Sequence, residues 1–146
     1  MAKFIYKMQN ILEIKYKLEE QVKAEFAKAN EAYDLEVKKL ESYVSRKYRY
    51  EEDLRELYKA SLKVVEIRNT IDAIDKMKEL IKLQIIEVNK AAEVVEQVRQ
   101  KLNQAMLERK TQEKLKEKAF EEFLLDVKAE EDKEIDELVR FKYGNR

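Results

Sequence analysis

The chain has 146 residues, 42% of them charged, with 31 basic and 31 acidic side chains, no proline, cysteine or histidine, and a single glycine, Gly144. Turns draw on Gly, Pro, Asn and Asp, so a chain this poor in breakers is mostly helix. Its balanced charge and 45% apolar content exclude a disordered polyelectrolyte, and the missing histidine and cysteine exclude the commonest general base, thiol nucleophile and thiolate metal site.

The first stripe runs through Phe4, Met8, Ile11, Leu18, Val22, Phe26, Ala29, Tyr33, Val37, Leu40, Val44, Leu54 and Tyr58. Its helical spacing is uneven, and extra four-residue steps suggest stutters in a coiled-coil pattern. Punctuation is weak after it. Ser61 is the expected cap of a second helix, with Asn69 or Thr70 as the next choice. From there the spacing becomes regular: Val64, Ile67, Ile71, Ile74, Ile81, Ile85, Val88, Ala92, Val95, Leu102 and Met106 alternate steps of three and four, interrupted by Lys78 and Arg99. That is a coiled-coil seam.

Each stripe is too narrow for a globular core and needs another helix beside it. The expected fold is all-α, a single domain over 1–146 built as a long antiparallel two-helix coiled coil, or helical hairpin. Helix 1 is expected over about 3–58, a turn over about 59–62 and helix 2 over about 63–142. At 1.5 Å per residue these helices are roughly 80 and 120 Å long. Antiparallel pairing then sets Phe4 near Lys116 and leaves the rest of helix 2 beyond its partner. The uncovered extension carries Phe120, Phe123, Leu124 and Val127, then Ile135, Leu138 and Phe141. Alternatively, a turn nearer Asn69 gives a longer first helix that covers this stripe.

Charge runs in blocks along the second helix. Arg99–Lys118 holds seven bases and three acids, whereas Lys116–Val139 holds four bases and ten acids, among them Asp136 and Glu137. Such blocks orient a docking partner, and an apolar stripe edged by charge suits a groove in another protein. A second candidate surface lies near the turn. Tyr43, Arg46 and Tyr50 sit beside the first stripe, and Ala73, Met77 and Leu80 sit one step off the second, so that together they form a shallow groove of residue types favoured at protein contacts. The competing expectation is that these side chains widen the coiled-coil core.

Other chemistry is poorly supported. Adjacent carboxylates such as Glu121 and Glu122 point about 100° apart on a helix, with no imidazole to complete a transition-metal set. No glycine-rich phosphate loop exists. The stretch Lys38–Tyr50 has five bases, one acid and three tyrosines, but zero net charge and a helical spacing that scatters the rings argue against nucleic acid. No apolar run approaches the roughly 20 residues that span a bilayer, and the evenly charged start is unlike a signal peptide. Cytoplasmic residence is expected.

Both ends carry a resemblance. "KFIYKMQNILEIKYKLEEQVKAEFAKA" is similar to the N-terminal signature of the flagellar FliJ family, and "ERKTQEKLKEKAFEEFLLDVKAEEDKEIDELV" resembles its C-terminal one, with Lys133, Glu134, Ile135, Asp136 and Glu137 as the acidic element. The resemblance implies a non-enzymatic component of the flagellar type III protein export apparatus. It implies as partners the export ATPase ring, the export-gate membrane protein and export chaperones, and placement at the cytoplasmic face of the membrane through those partners. On that reading Phe120, Phe123, Leu124, Val127, Ile135, Asp136, Glu137 and Leu138 serve the ATPase. The groove of Tyr43, Arg46, Tyr50, Ala73, Met77 and Leu80 serves the gate. No cofactor, metal or small-molecule substrate is expected, and the free chain is expected to be monomeric. The competing readings are a parallel dimeric coiled-coil tether and a holdase that shields client helices.

Overall fold

The computed structural model describes residues 2–60 and 63–144. Two helices, α1 (Gln9–Ala60) and α2 (Val64–Gly144), pack antiparallel as a helical hairpin, and no strand occurs among the described residues. Ser61, the expected cap, lies outside them. Asn69 and Thr70 sit inside α2, where the Thr70 hydroxyl donates to the Glu66 carbonyl at 2.8 Å instead of capping a helix start.

α1 begins at Gln9, not near residue 3. Residues 2–6 are not helical and 7–8 form a turn. The Tyr6 carbonyl accepts from the Gln9 N–H at 3.2 Å, and the Met8 carbonyl accepts from Ile11 and Leu12 at 3.0 and 3.1 Å. These bonds occupy donors that a helix start otherwise leaves unpaired.

Contacts divide the chain into two units, Met1–Gln21 with Asn103–Arg146, and Val22–Leu102. The second shows how the hairpin is held. On α1, Val22 and Ala29 are buried and Phe26, Tyr33, Leu40, Tyr43, Tyr50, Leu54 and Leu57 half-buried; on α2, Ile74, Met77 and Val95 are buried and Ile67, Ile81, Val88 and Val98 half-buried. With Glu36 and Lys47 on α1 and Thr70, Gln84 and Ala91 on α2 filling the gaps, both sets alternate steps of three and four, the 3.5-residue period that keeps one seam against its partner. α1 holds this phase from Leu12 to Leu57 without the expected stutters.

The phase also corrects half of each expected stripe. Ile67, Ile74, Ile81, Val88, Val95 and Leu102 lie in the seam as expected, but the companion row is Thr70, Met77, Gln84, Ala91, Val98 and Ala105. The row of Ile71, Ile85 and Ala92 is exposed, Ile85 by 44%. The reason is charge. The rejected row would have buried Lys78 and Arg99, whereas the chosen one carries no ionisable side chain through Ala105. Likewise on α1 the Tyr43–Leu57 row is half-buried, and Val44 and Tyr58 are exposed.

One seam residue in this unit is polar and buried. Gln84 donates through its amide to the Glu36 backbone carbonyl at 2.8 Å and to the Glu36 carboxylate at 2.6 Å. A buried amide is tolerated when its bonds are made, and its fixed partner disfavours a slipped pairing.

The seam assignment predicts unequal effects for like substitutions. Ile74→Ala should lower stability by about 2–4 kcal/mol, whereas Ile85→Ala should cost less than about 1 kcal/mol, measured by urea unfolding. Equal losses would mean that the seam faces elsewhere.

Candidate partner-docking surface

In the unit formed by Met1–Gln21 and Asn103–Arg146 the same heptad phase places Lys15 and Glu19 of α1, and Arg109, Gln112 and Lys116 of α2, at seam positions. Glu19 is only 4% exposed. Arg109 grips its carboxylate with two bonds, Nε at 2.7 Å and an Nη at 3.2 Å, and reaches Glu113 with its other Nη at 3.2 Å. The Tyr16 hydroxyl donates to Glu113, and Lys15 donates to Glu108 at 3.1 Å. Two-point Arg–carboxylate pairing is strong and directional, but it orders charge where an apolar layer would pack.

The network sets its own protonation. Glu113 is held below the ordinary 4.5, first by the Tyr16 hydrogen bond and then by Arg109. Glu108 is lowered by bonds from Gln104 and Lys15. The hydrogen bond to Glu19 keeps Arg109 charged more firmly than usual, and the Tyr16 phenol is raised above 10.0 by donating to Glu113.

Past this layer lies the aromatic cluster. Phe4, carried by the non-helical segment ahead of α1, stands edge-on to Phe120 at 5.1 Å and tilted to Phe123 at 5.4 Å, and those two rings stack at 6.4 Å. Phe120 and Phe123 are therefore not left wholly uncovered, as expected from a helical residue 4 opposite Lys116. A chain outside a helix advances more than 1.5 Å per residue, and so Phe4 reaches farther along α2. Buried Tyr6 Oη, Gln9 Oε1 and Gln112 Oε1 lack hydrogen-bond partners, each costing about 1–3 kcal/mol. The aromatic pairs return about 0.5–1.5 kcal/mol each beyond their buried area.

Beyond the cluster Leu124 is exposed, Val127 is half-buried, and every residue from 128 to 144 is exposed, including Ile135, Asp136, Glu137 and Leu138. The exposed apolar face is not a continuation of the seam. Extending the heptad from Phe123 reaches Asp126, Glu130, Lys133 and Glu137, all charged. Phe120, Leu124, Val127 and Leu138 lie one position later, in a row that also takes Glu131 and Glu134 and has Ile135 beside it, a rotation of about 100° around the helix. Of the upstream basic block, Arg109 pairs with Glu19, Lys101 with Glu25 at 3.0 Å and Arg99 with Glu96 at 3.4 Å, so part of its charge is already neutralised.

The expected groove near the turn is not assembled as an open surface. Met77 is 4% exposed in the seam, Tyr43 and Tyr50 are half-buried seam residues, and Ala73 is half-buried. Arg46 and Leu80 are exposed. An open cleft joins Leu80 to Leu83, edged by Asp72, Asp75, Lys76 and Glu79. Sequence reading missed Leu83, although an exposed leucine three residues from Leu80 was visible once the seam was phased. Among the described residues no group of carboxylates could hold a metal ion, and no helix is long and apolar enough to cross a membrane.

The family model described as flagellar FliJ protein matches residues 4–146. The chain belongs to the FliJ family. The match takes in the aromatic cluster, the charged layer and the bare end of α2, and FliJ membership gives the chain a role in the flagellar export apparatus. No curated protein and no solved structure matches it.

Two measurements probe the charged layer. Arg109→Leu should lower the melting temperature by removing the two-point bond to buried Glu19, and adding Glu19→Leu should recover part or all of the loss. Because Glu108 and Glu113 are lowered from 4.5, their stabilisation is complete above about pH 4.5 and fades as pH falls through the depressed values. The melting temperature should therefore drop below about pH 4.5, and Glu113→Gln should lower it at pH 7 while making that drop shallower.

Proposed function

We propose that this FliJ-family chain is a non-enzymatic coiled-coil adaptor of the flagellar type III export apparatus, and that the bare end of α2 docks on the export ATPase ring. The observation that carries this reading is the helical stretch from Leu124 to Gly144. Along one face of it Leu124, Ile135, Leu138 and Phe141 are 50–74% exposed. Such a stripe is stable in water only because charged neighbours flank it, and it gains most by entering an apolar groove. Its acids, Asp126, Glu130, Glu131, Asp132, Glu134, Asp136 and Glu137, set which way round the helix docks.

The hairpin end supplies the second contact. Leu80 and Leu83, with exposed Arg46, are offered to the export gate, while the buried Met77 is withdrawn from that role. Export chaperones use the remaining exposed face. Residence is cytoplasmic, at the inner face of the membrane through these partners. The chain itself performs no chemistry.

A parallel dimeric tether fits less well. Parallel in-register pairing would set Glu19 on Glu19 and Arg109 on Arg109, like charges in a seam that repel instead of bonding.

The docking role is tested with the cognate export ATPase. Wild-type protein should promote ring assembly or raise turnover, and Ile135→Ala/Leu138→Ala should weaken that effect about tenfold or more in half-maximal concentration. Undiminished potency of the variant would remove the α2 end from the contact.

A further inference from the structure

We propose that residues 2–8 form a displaceable strap, in which Phe4 occupies Phe120 and Phe123 in the free chain and leaves when a partner takes that face of α2. For its partner the inference rests on the docking reading above; the strap itself rests on geometry alone.

The strap is held at Phe4 and at half-buried Tyr6. Phe4 is the ring that meets Phe120 and Phe123, whereas Ile5 is 75% exposed and Met8 also faces solvent. No helix extends back through the segment, and the turn bonds at Tyr6 and Met8 tie only its downstream edge. Closure also carries a standing penalty. It leaves Tyr6 Oη, within the strap itself, buried without a partner, and lifting the strap lets water reach it. An aromatic anchor favours the closed state while one unpaired hydroxyl opposes it.

A competitor has a place to begin. Phe120 remains 43% exposed under Phe4, and the apolar face continues beside it at Leu124 and Val127. A partner surface seated on Leu124 is adjacent to Phe120 and can take the position of the Phe4 ring without disturbing α2. In this state the aromatic pair is shielded until the partner arrives, which limits self-association through an exposed apolar face.

Two readouts test the strap on the full chain. Phe4→Ala should raise the emission of anilinonaphthalene sulfonate, a dye that binds exposed apolar surface, about threefold with unchanged far-ultraviolet ellipticity, and Phe4→Ala/Phe120→Ala/Phe123→Ala should cancel the rise. Phe4→Ala should also tighten binding to the cognate export ATPase about three- to tenfold, since the partner no longer has to displace the ring. Dye emission indifferent to Phe4→Ala overturns the strap. So does ATPase binding that is unchanged or weaker in Phe4→Ala while Ile135→Ala/Leu138→Ala weakens it, because Phe4 would then belong to the docking face. If Ile135→Ala/Leu138→Ala has no effect, the docking reading fails separately and the dye result alone decides the strap.

Discussion

Two helices with no third layer can shield one narrow stripe each, and every other feature of this hairpin follows from which stripe is shielded. In a larger domain a charged residue near the core turns toward a loop or a neighbouring element. Here it leaves the seam, pairs across it, or stays half-buried at its edge. The phase chosen by α2 reflects that constraint: the row through Met77 and Val98 is buried, and the row through Lys78 and Arg99 is not. Hydrophobicity alone would have favoured the isoleucines at 71 and 85; the cost of burying two cations outweighs it.

Where the seam buries charge, as at Glu19, it pairs it across the two helices. Glu19 and Arg109 are complementary only when α1 and α2 run antiparallel in this register, and Gln84 with Glu36 repeats the device in the other unit. Such pairs give up some packing energy and return discrimination. The distribution is uneven. The unit containing Val22–Leu102 is mostly apolar along its seam, while the other unit concentrates Lys15, Glu19, Arg109, Gln112 and Lys116, together with three orphaned oxygens. Local opening is favoured where apolar contacts are few and polar groups incompletely paired. The unit that carries the bare end of α2 is thus also the less tightly sealed one.

The periodicity of Ile67, Ile74, Ile81, Val88 and Val95 made a coiled-coil seam legible in the sequence, but the same row fits a parallel dimer, and only weak punctuation near Ser61 pointed to a hairpin. The companion row was harder to read, since apolar residues occupy both candidates. The deciding signal was the charge at 78 and 99, treated as interruption when it was grounds for rejection. On α1 the same error produced false stutters, with Val44 and Tyr58 taken for seam residues in place of Tyr43 and Leu57. The candidate surface near the turn suffered most, because a one-position phase error moved Met77 from core to surface. Phe4 was out of reach for a different reason. Its non-helical setting depends on rings more than a hundred residues away in sequence, and no local propensity records that.

The extension beyond Val127 separates two explanations of an uncovered apolar face. If α1 were merely too short, the bare face would prolong the seam, and a longer first helix would cover it. The prolonged seam is instead Asp126, Glu130, Lys133 and Glu137, which no apolar helix would seal. Leu124, Val127 and Leu138 look about 100° away, toward whatever approaches from the flank on which Phe120 lies. Length cannot repair a difference in direction. Only a segment freed from helical geometry can turn from the seam onto that flank, and the one that does so, through Phe4, is the stretch preceding α1. The rotated stripe is therefore a surface set apart from the hairpin's own packing, and the ring resting on its near end is the intramolecular contact a partner would meet first.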